Sequence, residues 1–155
     1  MAKREASSMR MTTRAVAVAA IVVPALFFVS RSASQAQKKS DNGQIERGRY
    51  LVEDVAMCAE CHTPRDSRGE LEKQSWLQGA PIWIMPVKRI PEWADNAPAL
   101  AGLPGMTVEE VERVLEQGTG PEGEVLRPPM HIYHMKPEDA KAIIAYLNSL
   151  PRAKQ

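Results

Sequence analysis

Cysteine occurs twice in this 155-residue chain, at Cys58 and Cys61, and His62 follows the second directly. The cluster, "CAECH", constrains the fold more than any other feature, because each chemistry open to it demands different surroundings. A redox dithiol normally opens a helix that follows a strand, within a βαβ pattern. A structural zinc site needs four ligands, here Cys58, Cys61, His131 and His134, and would leave His62 unused. Covalent haem attachment uses all three residues: the thiols add across two vinyl groups as thioethers, and the adjacent imidazole is positioned to bind iron. The rest of the chain has to choose among them.

The N-terminus points to an oxidising compartment. Lys3, Arg4, Arg10 and Arg14 precede an apolar run from Ala15 to Val29, and small and polar residues follow it. A basic region, a short apolar core and a small-residue cleavage site describe a secretory signal. Ser34 and Ala36 fit the −3 and −1 positions, so residues 1–36 are expected to be a signal peptide cut before Gln37. The alternative is an uncleaved anchor. A spanning helix needs about 20 apolar residues, whereas Arg14 and Arg31 bound a shorter run with Pro24 inside it. The expected location is the periplasm, with membrane contact only if this segment is retained. Beyond residue 36 the chain keeps 15 basic and 18 acidic residues, a net charge of −3. That balance offers nothing to nucleic acid, and no basic amphipathic helix marks a membrane surface.

Within the mature part, residues 37–44 read as a polar tether. A helical period starts at Ile45 and runs through Gly48, Leu51, Val52 and Val55 to the cysteine motif. Gly48 is unusual there, since glycine costs about 1 kcal/mol against alanine inside a helix. Close approach of a second helix would account for it. From Thr63 to Met106 no period holds, while six prolines and Trp76, Trp83 and Trp93 accumulate. A loop this long wraps something or is disordered, and three tryptophans argue against disorder. Thr107 and Glu110 form a capping box for a second helix, with Val108, Val111, Val114 and Leu115 as its apolar stripe and Gly118 at its end. Pro137 opens a third, whose apolar face is Ala140, Ile143, Ile144, Leu147 and Leu150 and which Pro151 stops. Residues 152–155 form a short tail. No hairpin signal stands out, so the expected fold is all-α with a long irregular middle. Its core is small for its length, because Phe27 and Phe28, the only phenylalanines, precede the mature part. An internal apolar ligand would complete it.

These features favour haem. The motif follows a helix with no flanking strands, which disfavours the dithiol, and the zinc set wastes the one histidine that adjacency singles out. The opposite iron ligand is less defined, with Met57, Met85, Met106, Met130, Met135 and His131 available. Met57 is too close to Cys58 to cross the ring. Met130 follows Pro128 and Pro129, which are expected to hold the chain extended and present the thioether stiffly. Arg127 and one of the tryptophans are candidates for pairing with haem carboxylates.

"RGRYLVEDVAMCAECHT", "APALAGLPGMT", "RPPMHIYHM" and "DAKAIIAYLNSLP" together resemble the class I c-type cytochromes. They are most similar to the single-haem periplasmic cytochromes and cytochrome subunits that accompany bacterial dehydrogenases. The likeness covers residues 45–151. It implies a cytochrome c-like fold of three main helices and a long loop around one haem c, with terminal helices crossing at a glycine and an aromatic, here Gly48 and Tyr146. It implies Cys58 and Cys61 as covalent attachment points, His62 as one iron ligand and Met130 as the other. It implies a one-electron carrier rather than an enzyme, with a dehydrogenase as donor and an oxidase or another cytochrome as acceptor. The competing expectation is a haem enzyme or a gas or redox sensor with a labile sixth ligand, for which His131 or His134 would supply distal acid–base groups.

Overall fold

In the computed structural model, which describes Lys38 and residues 40–152, the chain divides into two units, Met1–Ser40 and Asp41–Gln155, the second carrying the cysteine motif. The expected signal segment, Gln37 and residues 153–155 of the tail lie outside the described residues.

Residues 41–50 are helical (α1) and continue without a break into a π-helical turn, Leu51–Val55. The tether expected over 37–44 is therefore helical at Lys38 and over residues 40–44. Its residues lie in solvent, so they carry no apolar period to announce a helix, and the packed turns that follow propagate into them. Arg49 braces α1 through ion pairs with Glu46 and Glu53, at 3.2 and 3.3 Å. Leu51 and Val52 are buried. At the end the Ala56 N–H donates to the Leu51 carbonyl (2.8 Å) and the Cys58 N–H to that of Val52 (3.0 Å). Met57, at φ 48°, then turns the chain sharply into the motif.

The middle of the chain is irregular but held by its backbone. Ala80–Pro81 (β1) pairs antiparallel with Asn96–Ala97 (β2), in the register Ala80 with Ala97 and Pro81 with Asn96. This two-residue ladder is the hairpin that the sequence did not signal, since it is too short to alternate and contains a proline. Leu77 is fully buried, and its carbonyl accepts from both Leu100 and Ala101.

α3, Val108–Gln117, carries the anticipated capping box: the Thr107 hydroxyl accepts from the Glu110 N–H (3.3 Å) and the Glu110 carboxylate from the Thr107 N–H (2.7 Å). Gly118 closes it in the left-handed conformation. Val111 and Leu115 are buried, but Val108 is exposed, because it stands in the first turn before the helix reaches the core. α4, Pro137–Ser149, starts at its proline and buries Ala140, Ala142, Ile143, Ile144, Tyr146 and Leu147. It packs on both α3 and the π-turn of α1.

The crossing of α1 and α4 answers the question that Gly48 raised. A Cβ on Gly48 would collide with the Ala142 carbonyl oxygen, and would lie 2.6 Å from its carbon and 2.8 Å from Tyr146 Cβ. The Tyr146 hydroxyl donates to Glu53 at 2.6 Å, tying the same two helices one turn further on. Arg47 pairs with Asp139 at 2.9 Å on the open side. Glycine and aromatic thus meet as the resemblance implied. Gly48→Ala should lose roughly 3 kcal/mol or more, at or beyond the usual overpacking cost of ~1–3 kcal/mol, because the obstacle is backbone rather than a movable side chain. Denaturant unfolding checks this; a more stable variant, as helix propensity alone would give, would refute the close crossing.

Candidate haem site

The motif forms a single helical turn, Ala59–His62 (α2), with Cys58 as its N-cap. The His62 N–H donates to the Cys58 carbonyl at 3.0 Å and the Cys61 N–H at 3.3 Å. Residues three and four apart on a helix share a face, so the spacing brings Cys58, Cys61 and His62 together. Pro64 ends the turn by forcing Thr63 into extended backbone, at φ −119° and ψ 133°.

Three bonds from the irregular middle then fix His62 and the adjacent Thr63. Its Nδ1 lies 2.7 Å from the Pro98 carbonyl, an acceptor, so that nitrogen carries the proton. The Gly79 N–H donates to the His62 carbonyl at 2.9 Å. The buried Thr63 hydroxyl accepts from the Leu77 N–H, also at 2.9 Å. The short β1–β2 ladder holds Gly79 and Pro98 beside each other, which is how the long loop serves the motif. Burial pulls the His62 pKa down, against a smaller upward effect of the Pro98 bond. With Nδ1 protonated and burial disfavouring the charged ring, Nε2 keeps its lone pair free.

Cys58 and Cys61 are not joined to each other. Burial pushes Cys58 up to about 11 and also raises Cys61, with Glu60 adding to the rise. A redox dithiol depends on a lowered thiol pKa, so this environment opposes that chemistry. Among the described residues no group of three or more His, Cys, Asp or Glu side chains is placed to hold a metal ion. His131 is exposed and stacks edge-on against Tyr133, 5.0 Å between centroids, while His134 turns toward the Glu116 carbonyl at 3.4 Å. The zinc set of Cys58, Cys61, His131 and His134 is not assembled.

Met130 is half-buried on a different loop. The stretch before it is not extended as expected: Arg127 to Met130 is a turn, closed by the Met130 N–H on the Arg127 carbonyl (3.1 Å), with a cis Pro128–Pro129 bond. Proline restricts φ but leaves ψ open, so two prolines suit a turn as well as a strand. Among the other methionines, Met57 and Met85 are exposed, whereas Met106 and Met135 pack against the core. Arg127 donates to the Glu92 and Trp93 carbonyls, at 3.1 and 3.3 Å, and so ties the Met130 loop to the tryptophan loop. The Ala94 N–H on the Pro128 carbonyl (2.7 Å) repeats that tie.

The tryptophans separate by what their indole N–H finds. Trp83 donates to the Glu60 carbonyl at 3.0 Å, and its ring lies 4.4 Å from the Arg65 guanidinium. Trp76 packs against the core. Trp93 has its Nε1 buried without an acceptor among the described residues. An unmet buried donor costs ~1–3 kcal/mol, so the site lacks an acceptor that a haem carboxylate would supply. Paired thiols, a neutral oriented imidazole and an orphaned indole donor fit haem. Tyr133 is the residue that periodicity and motif reading passed over; its hydroxyl donates to the Ala56 carbonyl at 2.9 Å, two residues before Cys58.

A sequence profile of the cytochrome c family matches residues 45–151. The chain belongs to this family: it is a c-type cytochrome, an electron-transfer protein. It is similar to the cytochrome subunits of bacterial dehydrogenases, being 31% identical over 117 residues to the fructose dehydrogenase cytochrome subunit of Gluconobacter japonicus. It is 32% identical over 112 residues to a diheme cytochrome c-type protein of Cereibacter sphaeroides. The matches take in 71% and 68% of this chain but only 23% and 35% of those relatives.

Trp93→Phe should shift the reduction potential and lower the stability of the haem-loaded protein by roughly 1.5–3 kcal/mol, as loss of a hydrogen bond to a charged group does. Trp83→Phe, which loses only a bond to a peptide carbonyl, should leave the potential in place. Redox titration of both variants is the check, and equal potentials in Trp93→Phe and the parent would remove the carboxylate as its partner.

Proposed function

We propose that the protein is a single-haem periplasmic cytochrome that carries one electron at a time from a dehydrogenase to an oxidase or another cytochrome. The observation that supports this most directly is the His62 geometry: one ring nitrogen is committed to the Pro98 carbonyl at 2.7 Å and the other is left neutral and basic. That is the state an iron ligand needs, and orientation by a carbonyl on the far nitrogen is the usual support of a ligating histidine. One CxxCH in the sequence supports one haem. The fructose dehydrogenase relative supports a dehydrogenase as donor.

In this reading Cys58 and Cys61 would hold the group by thioether bonds, and His62 and Met130 would bind its iron. Haem supplies the one-electron couple. The residues do the rest. The α2 turn sets the spacing of the thiols, the Pro98 carbonyl prevents the imidazole from rotating, and Trp93 meets a carboxylate in a buried place. With His62 and Met130 both on the iron no substrate would reach it, and His/Met ligation would raise the potential relative to bis-histidine ligation. The N-terminal signal pattern is what supports the periplasm in this reading.

Denatured protein should retain its haem on a gel, with mass spectrometry giving one haem per chain and a cut before Gln37. Haem removed by acid–acetone extraction would overturn covalent attachment. Met130→Ala should abolish the weak red-edge charge-transfer band of thioether-ligated ferric haem, lower the potential and admit cyanide. The same losses in Met85→Ala or Met135→Ala, with Met130→Ala unaffected, would reassign the ligand. A five-coordinate parent protein would replace the carrier with the haem enzyme or sensor.

A further inference from the structure

The Met130 loop is held on three sides. Before Met130, Arg127 and Pro128 bond to Glu92, Trp93 and Ala94. After it, the Met135 N–H donates to the Leu115 carbonyl of α3 at 3.0 Å. A further tie, to a different segment, is the Tyr133 hydroxyl on the Ala56 carbonyl, at 2.9 Å between residues 77 apart in sequence. Among the described residues no other hydrogen bond joins residues 126–135 to residues 51–62. Ala56 closes the π-turn of α1, and its own N–H is already used on Leu51. The last carbonyls of a helix have no partner within it, so the Ala56 carbonyl is open to an outside donor. The Tyr133 ring is half-buried, and His131 meets it edge-on at 5.0 Å. Tyr133 therefore couples the loop bearing Met130 to the segment that leads into Cys58.

We infer that Tyr133 is a positioning residue for Met130: its bond to the Ala56 carbonyl holds the 130–135 loop against the attachment segment and limits how often the thioether leaves the iron. This rests on Met130 being the ligand. The bond does not touch the iron, so it acts on the opening of the loop rather than on the strength of the iron–sulfur bond. An external ligand that must wait for opening binds in proportion to the open fraction. Loss of one neutral hydrogen bond weakens the closed loop by an amount that corresponds to about a fivefold larger open fraction. The phenyl ring of Tyr133→Phe keeps the packing, including the edge contact with His131.

The test is imidazole binding to the ferric, haem-loaded full chain, followed by loss of the thioether charge-transfer band. Tyr133→Phe should bind imidazole about fivefold more tightly, with the band still present before imidazole is added. Tyr146→Phe, which loses a hydroxyl bond to Glu53 between α1 and α4, is the control for general loosening and should leave imidazole affinity unchanged. Unchanged affinity in a folded Tyr133→Phe protein would overturn the inference, as would an equal rise in Tyr146→Phe. If Met130→Ala leaves the band and the imidazole affinity as they were, the ligand assignment has failed, and that result is separate from a silent Tyr133→Phe with Met130→Ala behaving as expected.

Discussion

Everything in the second unit depends on α1 lying against the backbone of α4. The contact exists because position 48 has no side chain, so the Ala142 carbonyl occupies the space a Cβ would take. Close approach gathers Leu51 and Val52 with Ile143, Ile144 and Leu147 into one small core, which Leu77, Leu103, Val111 and Leu115 complete. It also places the π-turn so that Met57 delivers Cys58 at the start of α2. A glycine inside a helix costs ~1 kcal/mol, and here the cost is offset by packing that no larger residue permits.

The irregular middle works by backbone hydrogen bonding more than by apolar burial. Leu77, Gly79 and Pro98 each bond to His62 or Thr63, and the two-residue ladder keeps them in place. Such a loop does not need a period, since what it presents is carbonyl and amide groups at set positions. On the other side Arg127 and Pro128 join the methionine loop to the tryptophan loop. The site is therefore a meeting of loops on a helical base. Electron transfer suits this arrangement, because a rigid surround keeps reorganisation small while nothing has to open for substrate.

Much of the architecture was legible because it rests on local physics. The capping box at Thr107 and Glu110, the Gly118 stop and the Pro137 start each depend on residues within a few positions of one another. What escaped the sequence was non-local. Residues 41–44 are helical by extension from packed turns, not by their own pattern. The "RPPM" stretch is a turn rather than extended, because proline leaves ψ to be decided by neighbours such as Ala94. Tyr133 carries no motif, and its partner lies 77 residues away.

The division between the two sources of information follows the range of the forces. Cys58, Cys61 and His62 fall on one turn by helix geometry, and an adjacent imidazole after two spaced thiols points to haem whatever surrounds it. The cytochrome family was thus readable from residues alone. Which nitrogen of His62 is committed, which tryptophan is left without an acceptor and what steadies the methionine loop depended on carbonyls and hydroxyls brought together from distant segments. A backbone carbonyl is the same at every position, so no residue type announces it; only the folded chain decides where it points.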